Sequence, residues 1–170
     1  MTEPAIRSAN LSDLPALVRI YNHYVAETHF TFDTEPSTES ERRGWMEQFS
    51  SEGPHQLLVA QLGDELAGYV SSGPFRKKPA YRSSVETTIY LAPGSTGKGL
   101  GRRLYAELLA RLRDEPAVHR ACAGIALPNP ESIALHEKLG FSPVGTFREV
   151  GFKFERYWDV AWYELDVSGG

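Results

Sequence analysis

The sequence predicts an α/β protein built on a mixed β-sheet with helices on both faces. Strand-like segments with alternating apolar residues and helix-like segments with apolar residues three or four positions apart follow one another along the 170 residues. The turn signal Gly63-Asp64-Glu65 between two apolar strands predicts a β-hairpin. The composition, 41% hydrophobic and 24% charged, is that of an ordinary globular protein.

The first half of the chain predicts three strands and two helices. Ser12 and Asp13 can cap a first helix, and Pro15 fits its first turn. An aromatic-rich loop at 28–36 separates this helix from a second one at about 37–49. The predicted strands of this half are Ala5–Ser8, Leu57–Leu62 and 66–71.

The second half predicts strands and helices in alternation. Helix Leu100–Arg113 carries leucines at helical spacing along one face. A shorter helix at 130–139 is followed by Gly140, the residue type expected just past a helix C-terminus. The predicted strands of this half are 85–91, Arg120–Ala126, 141–147 and 157–166.

A glycine-rich segment between a predicted strand and a predicted helix marks the candidate functional site. Glycines at such a junction let backbone N–H groups converge, and the helix N-terminus adds a partial positive charge. The natural ligand is therefore a phosphate or pyrophosphate. Three alternate positions are glycine, namely Gly97, Gly99 and Gly101. Three cations lie at the same end of the helix, namely Lys98, Arg102 and Arg103.

The spacing of these glycines excludes two other phosphate-binding loops. A Walker-type loop needs Lys-Ser/Thr after its last glycine, and no glycine here is followed in that way. The dinucleotide-binding fingerprint would need a glycine at position 102 or 104, where the chain has Arg102 and Leu104. The remaining alternative is a glycine-rich turn that only changes the chain direction. Three ordered glycines beside three cations favour the anion site.

Composition limits the partners and the compartment. The net charge of −4 provides no electrostatic attraction for nucleic acid or an anionic membrane, so neither partner is expected. The single cysteine, Cys122, allows no internal disulfide, and its apolar neighbours predict a small core residue. Early charges are unlike a secretory signal, and no apolar run approaches the ~18 residues of a membrane span. We expect a cytoplasmic protein with one domain over residues 1–170.

Two segments resemble signatures of one enzyme family, the GCN5-related N-acetyltransferases (GNAT). Residues 96–101, Thr-Gly-Lys-Gly-Leu-Gly, resemble its acyl-CoA pyrophosphate loop, Gln/Arg-x-x-Gly-x-Gly/Ala, with Thr96 in the place of the leading Gln or Arg. Residues 127–141 resemble its late-helix signature, which begins at an Asn and ends in Lys-x-Gly-Phe. His136 stands where many members of the family carry a tyrosine.

The histidine variant resembles one subgroup of the family, the phosphinothricin and methionine-sulfoximine N-acetyltransferases. Their Leu-Pro-Asn…His-Glu-x-Leu-Gly-Phe/Tyr run is very similar to residues 127–141. The resemblance extends over nearly the whole chain, from about residue 6 to residue 166. Further matching segments are 20–25, 31–36, 85–90 and 151–160.

The resemblance implies the GNAT fold, an α/β (α+β) architecture with a central mixed, mostly antiparallel sheet. It also implies acetyl-CoA as co-substrate and no metal. Asn129 is placed to cap its helix and, in addition, to contact the pantetheine arm or the water beside it. Backbone groups of Ile89, Tyr90 and Leu91 would pair with pantetheine like an added strand. The implied cofactor-binding residues are Ile89, Tyr90, Leu91, Gly97, Lys98, Gly99, Leu100, Gly101, Arg102, Asn129 and Lys138.

N-acetyl transfer requires a neutral amine, so a group on the enzyme must accept a proton from the ammonium form. The resemblance assigns this role to Glu86, directly or through a water, and desolvation would raise its pKa toward a useful value. The alternative is a solvent-facing glutamate on an ordinary strand. His136 is the candidate for proton transfer near the thioester sulfur of acetyl-CoA. The alternative is a helical histidine without a special role. Direct transfer in a ternary complex is expected.

Acceptor recognition is expected to involve Arg82 and Arg76, whose guanidinium groups suit a carboxylate or a second anionic group. The alternative for this basic cluster is a solvated surface loop. Three phenylalanines are candidates for the wall of the side-chain pocket, with a place in the core as the alternative for each: Phe32, Phe75 and Phe152. Family members commonly pair, so a homodimer with the acceptor site near the interface is expected.

The main prediction is acetyl-CoA-dependent transfer to the α-amine of a phosphinothricin-like or methionine-sulfoximine-like compound. The same fold could instead acetylate a protein N-terminus, a polyamine or an aminoglycoside. Polyamines and aminoglycosides usually demand an acidic cleft, whereas the candidate lining includes Arg82. A catalytically silent CoA-binding module is the other alternative, and the presence of both Glu86 and His136 argues against it.

Overall fold

The computed structural model describes residues 3–168, which form a single seven-stranded sheet with four α-helices. The strands are β1 Ala5–Ser8, β2 Leu57–Leu62, β3 Glu65–Pro74, β4 Ser84–Leu91, β5 Arg120–Ala126, β6 Ser142–Lys153 and β7 Arg156–Asp166. The helices are α1 Leu14–Glu27, α2 Glu39–Met46, α3 Leu100–Arg113 and α4 Pro130–Lys138. Short 3-10 turns at Leu11–Asp13 and Pro79–Tyr81 precede α1 and β4.

The sheet is mixed and mostly antiparallel, as predicted. Its strand order is β1-β2-β3-β4-β5-β7-β6, and every neighbouring pair is antiparallel except β4 and β5. The parallel pair is possible because α3 carries the chain from the end of β4 back to the start of β5. This crossover places the glycine-rich segment directly after the end of β4.

Helices cover both faces of the sheet, because apolar residues occupy successive positions of the central strands. On β2, Leu58 and Ala60 join the buried cluster that contains the leucines of α3. Leu57 and Val59 point the other way and join the cluster that contains Leu17 of α1. Since side chains alternate along a strand, this near-continuous apolar run is what a two-sided core requires.

The parallel pair β4–β5 comes apart after three residues. Ser84, Val85 and Glu86 pair with Arg120, Ala121 and Cys122, and no later residue of β4 has a partner on β5. Beyond that point β4 is bonded only to β3, and β5 only to β7. A cleft therefore opens inside the sheet, with one unpaired strand edge on each side.

Three element boundaries differ from the prediction. β3 extends to Pro74, and α2 ends at Met46 instead of near position 49. β6 runs from Ser142 to Lys153 instead of 141–147, because β7 holds it across two register shifts, and Glu149 within it has a positive φ of 52°. Bulges of this kind admit charged and glycine residues that locally look like a loop.

The predicted cap of α1 is wrong in its details. Asn10 caps the preceding 3-10 turn by accepting a hydrogen bond from the Ser12 N–H, and the Asp13 carboxylate accepts one from the Asn10 N–H. Asp13 makes no side-chain cap of α1 itself. Its carboxylate is bound by both terminal nitrogens of Arg7, at 2.7 and 2.8 Å, which holds the pKa of Asp13 below its usual value although burial opposes this.

None of the helices within residues 3–168 combines the length and apolar character that a membrane span requires. In the same range no three His, Cys, Asp or Glu side chains come together as ligands for a metal ion.

We expect Leu108→Ala in α3 to lower the free energy of unfolding by about 2–5 kcal/mol, because Leu108 is fully buried and its truncation leaves a cavity. Urea denaturation followed by circular dichroism measures this change. Ala106→Ser on the exposed side of the same helix is the control and should shift stability by about 0.5 kcal/mol or less. Equal effects of the two variants would contradict the assignment of α3 to the core.

Candidate active site

The cleft between β4 and β5 has a volume of about 680 Å³ and contains most of the predicted cofactor-binding residues. Its sides are the end of β4, the glycine-rich segment with the start of α3, the end of β5, and α4. Predicted residues that line it are Ile89, Tyr90, Leu91, Gly97, Gly99, Gly101, Arg102, Asn129, His136 and Lys138.

The glycine-rich segment is shaped by backbone angles that other residues rarely adopt. Gly97 and Gly99 have φ of +74° and +73°, and a Cβ at either position would meet nothing within 4 Å. The open space and left-handed backbone leave the N–H groups at the start of α3 accessible to a close ligand. Gly99 is the residue before α3, and the first turn of that helix contains no acidic side chain. The segment therefore has the geometry and charge of an anion site.

The remaining glycine of the segment serves packing. Gly101 is buried, and a Cβ there would lie 3.5–3.7 Å from Leu91, Leu135 and Ile89. Two predicted cofactor-binding residues do not line the cleft: Leu100 is buried, at 5% exposure, and the side chain of Lys98 is exposed to solvent.

The unpaired edge of β4 is partly satisfied within the protein. The carbonyl oxygen of Leu91 accepts a hydrogen bond of 2.7 Å from the hydroxyl of Tyr24 in α1. Tyr24 itself lines the cleft, as does Phe30 in the loop that follows α1. A ligand that pairs with β4 thus meets an edge whose last carbonyl already has a partner.

The start of α4 closes the other side of the cleft. The Asn129 side chain caps this helix by accepting a hydrogen bond of 3.2 Å from the Ser132 N–H, while it also lines the cleft. The predicted capping role of Asn129 is confirmed. Gly140 has a φ of +93° and follows α4 as the expected left-handed terminal residue.

His136 lies at the base of the cleft and is only 3% exposed. Its Nδ1 is 2.7 Å from the carbonyl oxygen of Ser132, and its Nε2 is 3.1 Å from the hydroxyl of Tyr105. Burial lowers the pKa of His136, so the neutral imidazole is favoured. Because a carbonyl can only accept, the ring proton is on Nδ1, and Nε2 accepts from Tyr105.

Glu86 belongs to the last residue pair of β4 and β5, and its side chain points to the face opposite Thr87. Its carboxylate is 3.8 Å from the guanidinium of Arg76. Burial raises the pKa of Glu86, and the charge of Arg76 opposes that rise. A carboxylate with a raised pKa, placed where the two strands separate, is suited to accept a proton.

An aromatic group lies beside this carboxylate. The Arg76 guanidinium is 4.1 Å from the ring centre of Phe75 and 5.4 Å from that of Trp162 on β7. Trp162 also covers Gly124, where a Cβ would approach the indole to 3.1 Å. Phe75 and Arg76, two predicted acceptor-binding residues, are thus next to Glu86.

The other predicted acceptor residues lie elsewhere. Arg82 is exposed at the end of the 3-10 turn before β4. Phe32 packs its ring against the backbone of Gly151, where a Cβ would be only 2.2 Å from the ring. Phe152 is 56% exposed on β6 and pairs with Tyr157 at 4.9 Å between ring centres.

Several residues of the site were missed by the sequence analysis. Thr87, Tyr105 and Trp162 come close to the predicted residues only through non-local pairing, although the alternation of aromatic residues on β7 was visible in the sequence. The prediction for Cys122 was also incomplete. It is half-buried as the partner of Glu86 in the last β4–β5 pair instead of in the core, and burial raises the pKa of its thiol, which disfavours a thiolate nucleophile.

The sequence of the chain is similar to those of known acetyltransferases. Residues 6–162 match the family described as acetyltransferase (GNAT) domain. The chain is 54% identical to phosphinothricin N-acetyltransferase of Streptomyces coelicolor over 95% of each protein. It is 33% identical to the L-methionine sulfoximine/L-methionine sulfone acetyltransferase of Pseudomonas paraeruginosa, over 96% of this chain and 95% of that protein.

Solved structures show the same fold. A phosphinothricin acetyltransferase from Sinorhizobium meliloti, in complex with AcCoA, superimposes with a TM-score of 0.93 at 31% identity, covering 99% of this chain and 91% of that one. This superposition and the family match over residues 6–162 both extend over nearly the whole chain. The chain is therefore a member of the GNAT acetyltransferase family.

Proposed function

We propose that this protein transfers the acetyl group of acetyl-CoA to the α-amine of a small amino-acid analogue such as phosphinothricin (glufosinate), methionine sulfoximine or methionine sulfone. The observation that carries the proposal is the Glu86–Arg76 pair at the last β4–β5 residue pair, where the cleft begins, together with the glycine-rich segment that lines the same cleft. The names of the S. coelicolor and P. paraeruginosa relatives support the choice of acceptor. Acetylation of such compounds would make their host resistant to them.

The co-substrate is proposed to lie along the cleft. Its pyrophosphate is bound by the N–H groups that follow Gly97 and Gly99, with Lys98 and Arg102 nearby, and its pantetheine arm pairs with Ile89, Tyr90 and Leu91. Backbone N–H donors at this edge can stabilise the negative oxygen that develops when the amine attacks the thioester. The residues present fit this ligand, because the segment offers open space and no acidic side chain in the first turn of α3.

Glu86 is proposed as the base that takes the first proton from the ammonium group of the acceptor, directly or through a water. Arg76 supplies the charge for the carboxylate of the acceptor, and Phe75 with Trp162 bounds its side chain. The amine then attacks the thioester carbonyl in a ternary complex. His136 handles a proton near the sulfur.

The proposed working unit is a cytoplasmic homodimer of one-domain chains spanning residues 1–170. A group of large apolar side chains supports the dimer, because they are 51–61% exposed on or between the edge strand β6 and its partner β7. They are Val144, Phe147, Val150, Phe152, Phe154 and Tyr157.

A thiol-release assay over a panel of amines tests the acceptor. We expect CoA release with phosphinothricin and methionine sulfone, because Arg76 can bind their carboxylates, and little release with spermidine or an aminoglycoside. N-acetyl-phosphinothricin, which has no free amine, is the control. Turnover with only a polyamine or an alanine-terminated peptide would show that the proposed acceptor is wrong.

Glu86→Gln should lower kcat/KM by roughly 100-fold or more, since a general base is removed. Because burial raises the pKa of Glu86, the acidic limb of the wild-type pH profile should lie above the usual carboxylate value of about 4.3, and the variant should lose that limb. Steady-state kinetics across pH measures both effects. Glu65→Gln, at an exposed carboxylate on β3, is the control, and an unchanged limb in Glu86→Gln would exclude Glu86 as the base.

Gly99→Val should weaken acetyl-CoA binding by about 10- to 100-fold, because a side chain at φ +73° shifts the N–H groups that bind the pyrophosphate. Isothermal calorimetry measures the affinity. Gly63→Val is the matched control, since Gly63 also has a positive φ, +59°, with open space around it but lies on the β2–β3 hairpin. Normal affinity in Gly99→Val would place the pyrophosphate elsewhere.

A further inference from the structure

A chain of buried hydrogen-bonding groups runs from the point where β4 and β5 separate to helix α4. The hydroxyl oxygens of Thr87 and Tyr105 are 2.5 Å apart, and the Tyr105 hydroxyl is 3.1 Å from Nε2 of His136. Nδ1 of His136 ends the chain at the carbonyl oxygen of Ser132, 2.7 Å away. Thr87, Tyr105 and His136 are each 3% exposed or less, so water does not compete for these bonds.

The direction of the hydrogen bonds in this chain of groups follows from the groups at its two ends. The Ser132 carbonyl can only accept, which fixes the ring proton on Nδ1 and leaves Nε2 as an acceptor. Tyr105 therefore donates to Nε2, and Thr87 donates to Tyr105. Thr87 has a second possible acceptor, the carbonyl oxygen of Cys122 at 3.3 Å, so its hydroxyl can turn when the chain reverses.

Only the Thr87 end of the chain offers a free position in the cleft. Thr87 lines the cleft as the first β4 residue beyond the last β4–β5 pair. His136 also lines it, but both of its ring nitrogens are already bonded. A proton can therefore pass between His136 and a group in the cleft through the hydroxyls of Tyr105 and Thr87. Glu86 lies on the opposite face of the sheet, so the two proton acceptors are separate.

We propose, resting on the function proposed above, that Thr87, Tyr105 and His136 form a relay that carries the second proton of the attacking amine to the departing sulfur. Thr87 is the residue that touches the reacting atoms, and Tyr105 is a positioning residue that acts through its neighbours. This relay adds two residues, Thr87 and Tyr105, to those implied by the family resemblance.

The proton balance requires two acceptors. The ammonium group of the acceptor loses one proton to Glu86, and the C–N bond then forms on the thioester carbonyl. The nitrogen gives its second proton to the hydroxyl of Thr87. At the same time the Thr87 hydroxyl passes its proton to the hydroxyl of Tyr105, which passes its proton to Nε2 of His136. The C–S bond breaks with its electron pair on sulfur, and the same chain, running in reverse, protonates the sulfur. The products are the amide and CoA thiol, and Glu86 returns its proton to solvent.

The surroundings of His136 keep its ring neutral at rest and make a proton on Nε2 short-lived. The side chains that face the ring are aromatic: Tyr105 from α3, Phe141 before β6 and Tyr163 from β7. Burial lowers the pKa of His136, which keeps Nε2 free to accept a proton and makes the imidazolium a good donor. Burial also raises the pKa of Tyr105, so the phenol passes a proton on and does not persist as a phenolate.

The test compares Thr87→Val and Tyr105→Phe with the wild type. We expect kcat to fall by about 10- to 100-fold in both, with acetyl-CoA affinity changed less than about twofold, and Thr87→Ser to restore most of kcat because it keeps the hydroxyl. A proton inventory in H2O–D2O mixtures should be curved for the wild type and linear for Tyr105→Phe, which a merely structural role would not produce. Tyr163→Phe removes a nearby hydroxyl outside the chain and is the matched control.

The relay is wrong if Tyr105→Phe keeps the wild-type kcat and proton inventory, or if Thr87→Val and Thr87→Ser behave alike. Nitrogen-15 NMR of the imidazole tests it without turnover: the free wild-type protein should show the Nδ1–H form, and the Nε2 shift should move in Tyr105→Phe. An Nε2–H form would overturn the relay even in an active enzyme. Absence of thiol release by the wild type with every amine would instead overturn the proposed function.

Discussion

The separation of β4 from β5 is the constraint on which the rest of the site depends. Two parallel strands that stay paired bury their backbone groups against each other, whereas these two part after Glu86 and Cys122. Each then keeps an edge whose N–H and C=O groups need partners. The cleft is thus an interruption of the sheet, and an extended ligand that offers amide groups can complete the pairing there.

The sheet also divides the chemistry between its two faces. Glu86 and Thr87 are consecutive on β4 and therefore point in opposite directions. On one face Glu86 is accompanied by Arg76 and Trp162, a charged and aromatic environment. On the other face Thr87 leads into the uncharged chain through Tyr105. One strand thereby carries a partly buried carboxylate on one face and a buried hydroxyl on the other.

The parts of this molecule that the sequence predicted well are local ones. Helix α3, the alternate glycines before it and the Asn129 cap each depend on residues within a few positions of one another. The separation of β4 and β5 depends on distant segments, and so does the approach of Tyr105 to His136 across 31 positions. The same limit explains the acceptor residues: Phe75 reaches Glu86 through Arg76, but Phe32 is held at Gly151, a contact without a local pattern.

The contact between Phe32 and Gly151 couples two segments that are far apart along the chain. Thr31 next to Phe32 accepts a hydrogen bond of 2.9 Å from the ammonium group of Lys153, which lies two residues after Gly151. Two contacts therefore fix the loop after α1 to β6: the ring of Phe32 packs on the backbone of Gly151, and the buried ammonium group of Lys153 binds Thr31. Any side chain at position 151 would have to displace the ring, so natural variation in the position of this loop among homologues should be accompanied by change at that one glycine.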